Sequence, residues 1–155
     1  MAANQLDITD KKILRILQDN GRITNLQLSQ EIGLSPAPTL ERVRKLEKAG
    51  YIESYHARVN PKMLNLGLQV IIQVSLTRQI ENAMQKFIDQ INTIDEVVEC
   101  YQLTGDFDYI LKVMVEDIQE LDKLVNSKLS HIEEIGQMRS SVILSEIKNA
   151  GKLPI

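Results

Sequence analysis

Apolar positions along this chain follow two different periods, and the change from one to the other divides it. Up to residue 50 they recur every three or four residues, as on one side of an α-helix. Ile13, Ile16 and Leu17 form the first stripe, with Thr9 the expected N-cap, Ile8 and Ile13 at staple positions, and Gly21 closing the element. Thr24 and Gln27 make a capping box for a second helix, whose inner side runs through Leu28 and Ile32 to Gly33. The third helix opens on two prolines. Ser35 is placed as its N-cap, with Pro36 and Pro38 in the first turn, where backbone N–H groups lack intrahelical acceptors. Ala37 precedes a proline and is biased away from helical geometry, which allows a start one or two residues later. Leu40, Val43 and Leu46 are expected on its inner side. Only Gly33-Leu34-Ser35 separates the second helix from the third, which is helix-turn-helix spacing. The stretch YIESYHARVN, residues 51–60, suits a short strand or wing, and Asn60-Pro61 marks a boundary.

Beyond that boundary the period becomes two. Val70, Ile72, Val74 and Leu76 alternate with Ile71, Gln73, Ser75 and Thr77, predicting a strand over 70–77. Met84, Phe87, Ile88 and Ile91 return to helical spacing, residues 97–103 and 109–115 read as strands, and Ile118, Leu121, Leu124, Val125, Leu129 and Ile132 give a second amphipathic helix. Residues 138–146 make the last strand. The order β-α-β-β-α-β is ferredoxin-like, a four-stranded antiparallel sheet with both helices on one face. The expected class is therefore α+β, a winged helix-turn-helix domain over residues 1–50, a wing or hinge strand and linker over 51–66, and a ferredoxin-like domain over 67–155. Ile71, Ile110, Met114 and Ile143 are candidates for the uncovered sheet face, and self-association is the simplest way to cover them.

Composition narrows the function classes. With 155 residues, 43% of them hydrophobic, the chain can bury one ordinary core or two small ones. No basic-then-apolar leader opens it and no run approaches the roughly 18 apolar residues of a membrane span, so a cytoplasmic protein without a membrane partner is expected. Cys100 is the only cysteine, which rules out an internal disulfide and a cysteine metal cluster, and it reads as a small apolar strand residue. The histidines are His56 and His131, and neither a nucleophile–histidine arrangement nor a phosphate-binding glycine loop is evident, so no metal, cofactor or enzymatic activity is expected. The net charge of −3 conceals an asymmetry: residues 1–60 carry nine Lys and Arg against seven Asp and Glu, whereas residues 61–155 carry nine against fourteen. Phosphate affinity follows the local field over a Debye length of about 8 Å, and the basic half is the one with the helix-turn-helix.

On the third helix Ala37, Pro38, Glu41, Lys45 and Lys48 point away from the apolar stripe, with Arg42 and Arg44 flanking it. A small front end lets the helix approach base edges, and its long cations reach bases or phosphates in a major groove. Ser35 and Thr39, at the helix start, complete the candidate DNA contacts. A solvated charged helix with balancing Glu41–Lys45 spacing is the alternative.

The stretches LSPAPTLERVRKLEKAGYI and TGDFDYILKV, with LDITDKKILRILQDNGRITNLQLSQEIGLS before them, resemble the leucine-responsive/asparagine-regulator family of transcription factors, also called feast/famine regulators. The resemblance covers nearly the whole chain. It implies double-stranded DNA as partner, a strand-like hinge near residues 51–60, and a second domain that binds an amino acid and assembles as homodimers, often to octamers.

A free amino acid presents an ammonium and a carboxylate. In TGDFDY, residues 104–109, Asp106 or Asp108 offers the anion, while Thr104, the Gly105 N–H and the hydroxyl of Ser140 or Ser141 offer neutral donors. The same residues also suit a hairpin loop in which aspartates bond their own backbone. Some members carry a threonine-rich stretch where this chain has MRSS, and Met138 there points to an apolar effector such as leucine or methionine. The expected function is an amino-acid-responsive regulator binding near-palindromic operators. The alternatives are an architectural protein that wraps DNA with little sequence preference and, from a different class, a small ferredoxin-like enzyme.

Overall fold

The computed structural model describes residues 6–77, 82–148 and 151–155. The chain forms two compact units, one made of residues up to Arg58 together with Lys148–Ile155, the other of Val59–Ile147. Residues 51–58 and 148–155 thus belong with the helical unit, a different partition from the boundaries at 50 and 66 read from the pattern.

The first unit holds α1 (Ile8–Asp19), α2 (Asn25–Ile32) and α3 (Pro36–Lys48) around buried Ile13, Leu14, Leu28 and Leu46. α1 starts earlier than Thr9 predicts. Asp7 is its N-cap: its Oδ1 accepts the Asp10 N–H at 2.7 Å, and Asp10 Oδ2 accepts the Asp7 N–H at 3.3 Å. Two carboxylates at a helix N-terminus are stronger acceptors than a hydroxyl and favourably placed against the macrodipole, so they win the cap and leave Ile8 exposed instead of stapled. α2 follows expectation. Thr24 Oγ1 accepts the Gln27 N–H and Gln27 Oε1 accepts the Thr24 N–H, each at 3.2 Å, and Gly33 ends the helix at φ 74°. Thr24→Ala should cost about 1 kcal/mol in the unfolding of this unit, read as a lower urea midpoint with an unchanged slope.

α3 begins at Pro36 despite the constraint on Ala37. The Ser35 carbonyl accepts both the Thr39 N–H at 3.3 Å and the Thr39 hydroxyl at 2.9 Å, which fixes the first turn where the prolines contribute no donor. That hydroxyl bond also makes Thr39 fit for burial. The inner side accordingly runs through Thr39, Val43 and Leu46, and Leu40 is left partly exposed, a rotation of the stripe from the one expected. Residues 51–60 form no strand, because no described residue offers them a ladder partner. They are pinned instead by the Tyr51 N–H on the Leu46 carbonyl at 2.9 Å, by Ile52 packed on the helical core, and by the Tyr55 hydroxyl donating to Glu47 Oε1 at 3.0 Å. Gly21 leaves room for the Tyr55 ring, since a Cβ there would meet its Cδ1 at 3.3 Å.

In the second unit a 3-10 turn (Pro61–Leu64) precedes β1 (Leu68–Leu76), α4 (Ala83–Ile91), β2 (Val97–Gln102), β3 (Tyr109–Val115), α5 (Ile118–Ser127), a second 3-10 turn (Leu129–His131) and β4 (Ile135–Val142). The sheet order is β2-β3-β1-β4, every neighbouring pair antiparallel, as the ferredoxin-like reading requires. Pairing of Val70 with Val113, Ile72 with Leu111 and Val74 with Tyr109 puts these residues on one face. They are buried there with Phe87 and Ile91 of α4 and Leu124 of α5. Residues 143–146 leave the ladder, although the Ile143 N–H still reaches the Gln69 carbonyl at 2.9 Å. Ile71, Ile110 and Met114 alternate onto the opposite face, half-buried beside a Lys112–Glu99 ion pair of 2.8 Å.

Candidate DNA-reading helix and ligand cavity

The rotation of α3 decides which side chains are free. Ala37, Pro38, Glu41, Arg44, Lys45 and Lys48 are exposed, and so is Ser35 at the cap. Arg44, Lys45 and Lys48 make no ion pair among the described residues. Two members of the sequence-derived set are engaged elsewhere. Thr39 is fully buried with its hydroxyl spent on Ser35. Arg42 Nη1 lies 2.7 Å from Asp7 Oδ2 and 2.7 Å from Asp10 Oδ1, clipping α3 to the start of α1. The Asp10 N–H, and next the Arg42 guanidinium, hold the Asp7 carboxyl below the usual carboxylate range.

Of the N-cap Ser35 and the first three residues of α3 only Ser35 and Ala37 carry an N–H, because the other two are prolines. This helix start is a poor phosphate cradle. Its small apolar tip instead allows close approach to base edges and thymine methyl groups, with phosphate contacts left to the long cations behind it.

The loop between β2 and β3 is built largely by its own backbone needs, with Gly105 at φ 119°. The Leu103 N–H reaches the Asp108 carbonyl at 2.8 Å, the Asp108 N–H reaches the Val74 carbonyl at 2.9 Å, and Ser75 Oγ donates to the Asp106 carbonyl at 3.1 Å. Asp108 Oδ2 accepts the Leu76 N–H at 2.7 Å, where the β1–β4 register shifts. One carboxylate oxygen is thus fixed and the other is left over. Asp106, Thr104 and Gly105 are exposed, and the Asp106 carboxylate has no partner among the described residues.

Beside Asp108 is a cavity of about 320 Å³ between the end of β1, the start of α4 and the β2–β3 strands, lined by Leu76, Ala83, Met84, Gln102, Asp108 and Tyr109. Tyr109 is only 2% exposed, its ring 4.7 Å from that of Phe87, and its hydroxyl has no hydrogen-bond partner among the described residues. A buried unpartnered hydroxyl costs about 1–3 kcal/mol, so its retention needs an explanation.

The expected effector residues do not all converge. Met138 pairs with Val74 and packs on the core at this end of the sheet. Ser140, paired with Ile72, shares the core-side face two residues further along, and Ser141, paired with Ile71, points to the opposite face. Arg139, also on that opposite face, lies over the Phe107 ring at 5.4 Å. Gln102 and Tyr109 were not singled out by sequence reasoning. The available signal was a tyrosine at a core-facing strand position, which brings a hydroxyl that must find a partner.

Residues 6–53 match a winged helix-turn-helix DNA-binding model and residues 69–153 match the Lrp/AsnC ligand binding domain. The chain belongs to the Lrp/AsnC family. It is 41% identical over 148 residues to the leucine-responsive regulatory protein of Haemophilus influenzae, covering 96% of this chain and 89% of that protein. A transcriptional regulator of Neisseria meningitidis solved in complex with L-Met is 40% identical, covers 97% of both chains and superposes with a TM-score of 0.94. An AsnC family transcriptional regulator from Agrobacterium tumefaciens is 32% identical, with a TM-score of 0.90 over 96% of this chain and 97% of that one. This Lrp/AsnC protein is a transcriptional regulator and not an enzyme. Its DNA-binding domain is the helical unit and its ligand-binding domain the ferredoxin-like unit. No described helix is long and apolar enough to cross a membrane.

Proposed function

We propose that this regulator works as a cytoplasmic homodimer that sets two copies of α3 into successive major grooves of a near-palindromic operator, roughly 34 Å apart. The observation that carries the reading is the unpaired cationic outer side of α3 behind a proline-built tip. Ser35, Ala37 and Pro38 form the tip, Glu41 and Arg44 lie where base edges are read, and Lys45 and Lys48 reach phosphates. Dimers form through the open sheet face of Ile71, Ile110 and Met114, and assemble further to octamers.

The effector is an apolar amino acid, methionine ahead of leucine, whose ammonium is held by Asp108 and whose side chain lies against Leu76 and Met84. A carboxylate and an apolar wall in one cavity, with the buried Tyr109 hydroxyl in a residue of its lining, suit that ligand, and a close relative is solved with L-Met.

Titration of the full-length protein against a near-palindromic duplex and its scrambled counterpart, at two salt concentrations with and without L-methionine, tests the reading. A preference of about 10³-fold or more for the operator, altered by L-methionine, is the expected result. Equal, salt-sensitive binding to both duplexes would mean an architectural protein instead.

A further inference from the structure

A lysine occupies the middle of the sheet face opposite the core. The three registers align Glu99, Lys112, Ile71 and Ser141 in one row across β2, β3, β1 and β4. Lys112 is the central residue of β3, and β3 is one of the two inner strands. Its nearest neighbours on that face are otherwise apolar, Ile110 and Met114 two positions to either side and Ile71 across the ladder. Lys112 Nζ lies 2.8 Å from Glu99 Oε1, and the Tyr101 hydroxyl donates to Glu99 Oε2 at 2.9 Å. Both carboxylate oxygens are therefore held before anything covers the face. The Lys112 ammonium, against the opposing effect of burial and with help from the Tyr101 hydroxyl, keeps the Glu99 carboxyl below the usual carboxylate range, so the pair is ionised at neutral pH. It adds no net charge, and with side chains 25% and 39% exposed it is open to a partner.

An isologous contact brings every charge of a face to the interface twice. A neutral pair survives that doubling, whereas an unbalanced charge cut off from water is costly. Glu99 takes one of the three Lys112 N–H donors, so covering the face requires neutral acceptors for the others. The same face carries them in Gln69, Gln73 and Ser141, around Ile71. A second copy thus brings amide and hydroxyl oxygens to the centre without an unpaired charge. Arg139, also on this face, is exposed on the edge strand β4 over the Phe107 ring, where water reaches it. We propose that the occupant of the open face is a second copy of this chain and that the Glu99–Lys112 pair selects it, by making a face with an unbalanced central charge too costly to cover. This deepens the dimer reading above and rests on it. The pair adds little to the tightness of the dimer, because taking two charges out of water offsets their attraction, and its contribution is the choice of partner.

Charge reversal in the full-length protein tests this, with sedimentation velocity for each variant and native mass spectrometry of mixtures in which one variant is isotope-labelled. Glu99→Lys and Lys112→Glu should each weaken self-association by about tenfold or more, since one homodimer gathers two central cations from each chain and the other two central anions. Mixed in equal amounts, the two variants should associate with one another, and both substitutions in one chain should restore the homodimer. Rescue by mixing also shows that each variant is folded. Single variants that self-associate like the wild type overturn the selection, and so do single variants that lose association and are rescued by neither route. Ile71→Asp separates this outcome from failure of the dimer reading. If it leaves the wild-type assembly intact, the open face is not the dimer interface and that reading falls together with the inference. If it dissociates the protein while both charge reversals leave association unchanged, the dimer reading stands and the selection alone is overturned.

Discussion

Replacing Arg44 and Lys45 together by alanine is expected to lower operator affinity by at least about tenfold at moderate salt and to flatten its salt dependence, whereas Arg42→Ala weakens binding without changing that slope. Each phosphate contact removed takes about 0.9 from the slope of log affinity against log salt, and a dimer loses every contact twice. Arg42 is different because its guanidinium lies 2.7 Å from both Asp7 and Asp10, so it neutralises protein carboxylates and not phosphates. Losing it loosens the attachment of α3 to α1, and the binding defect then follows from a less well-positioned helix. Acid sensitivity separates the two cases further. Asp7 has a lowered pKa in the folded unit, so its contribution to stability is present above the usual carboxylate range and is lost as the pH falls through that lowered value. Arg42→Ala removes one of the causes, and acid unfolding of the helical unit should begin at a higher pH; Arg44→Ala and Lys45→Ala should leave it in place. Parallel loss of slope in Arg42→Ala would place this side chain at the DNA after all.

Local spacing puts Arg42 among the DNA contacts, and its pairing with Asp7 and Asp10 shows where local pattern stops being informative. The three helices, their turn and the β-α-β-β-α-β order of elements along the chain all follow from short-range rules, because capping boxes, proline starts and alternation act within a few residues. The phase of α3 does not. Thr39 takes the inner position from Leu40 through a hydroxyl bond to Ser35, and the rotation turns Arg42 toward acids some thirty residues away. The spacing of Ile8 and Ile13 points to Thr9 as the cap of α1, and the reciprocal Asp7–Asp10 cap is seen only in the structure. Residues 51–60 have strand composition without a strand, since a ladder needs a second chain segment that composition does not specify. The ligand side is similar. The loop sequence offers Asp106 or Asp108 without choosing between them, and the cavity next to Asp108 depends on the packing of α4 over β1, which makes neighbours of Gln102, Tyr109 and Met84 from three separate elements. The return of Gly151–Ile155 to α1 is a contact across more than a hundred residues, and no local period carries it.

Asp108→Asn should abolish most L-methionine binding, by about 10- to 100-fold, with the fold retained, because the amide oxygen can still accept the Leu76 N–H while the charge that attracts an ammonium is gone. Asp108→Ala loses both functions: it weakens ligand binding to the same extent and also strands the Leu76 N–H, costing about 1–3 kcal/mol of stability. Asp106→Asn should change neither, since that carboxylate is exposed and lies outside the cavity. Tyr109→Phe is the sharpest of the set because it moves two measurements in opposite directions. The Tyr109 hydroxyl is buried without a partner, so removing it should raise the thermal midpoint of the unliganded protein. If that hydroxyl is kept for the ligand, the same change should weaken L-methionine binding, since a polar group that the cavity holds in readiness is then missing when the ligand arrives. A gain in stability with unaltered ligand affinity would assign the hydroxyl no part in binding, whereas unaltered affinity in Asp108→Asn would move the ammonium site to the exposed loop, where Asp106→Asn should then be the variant that fails.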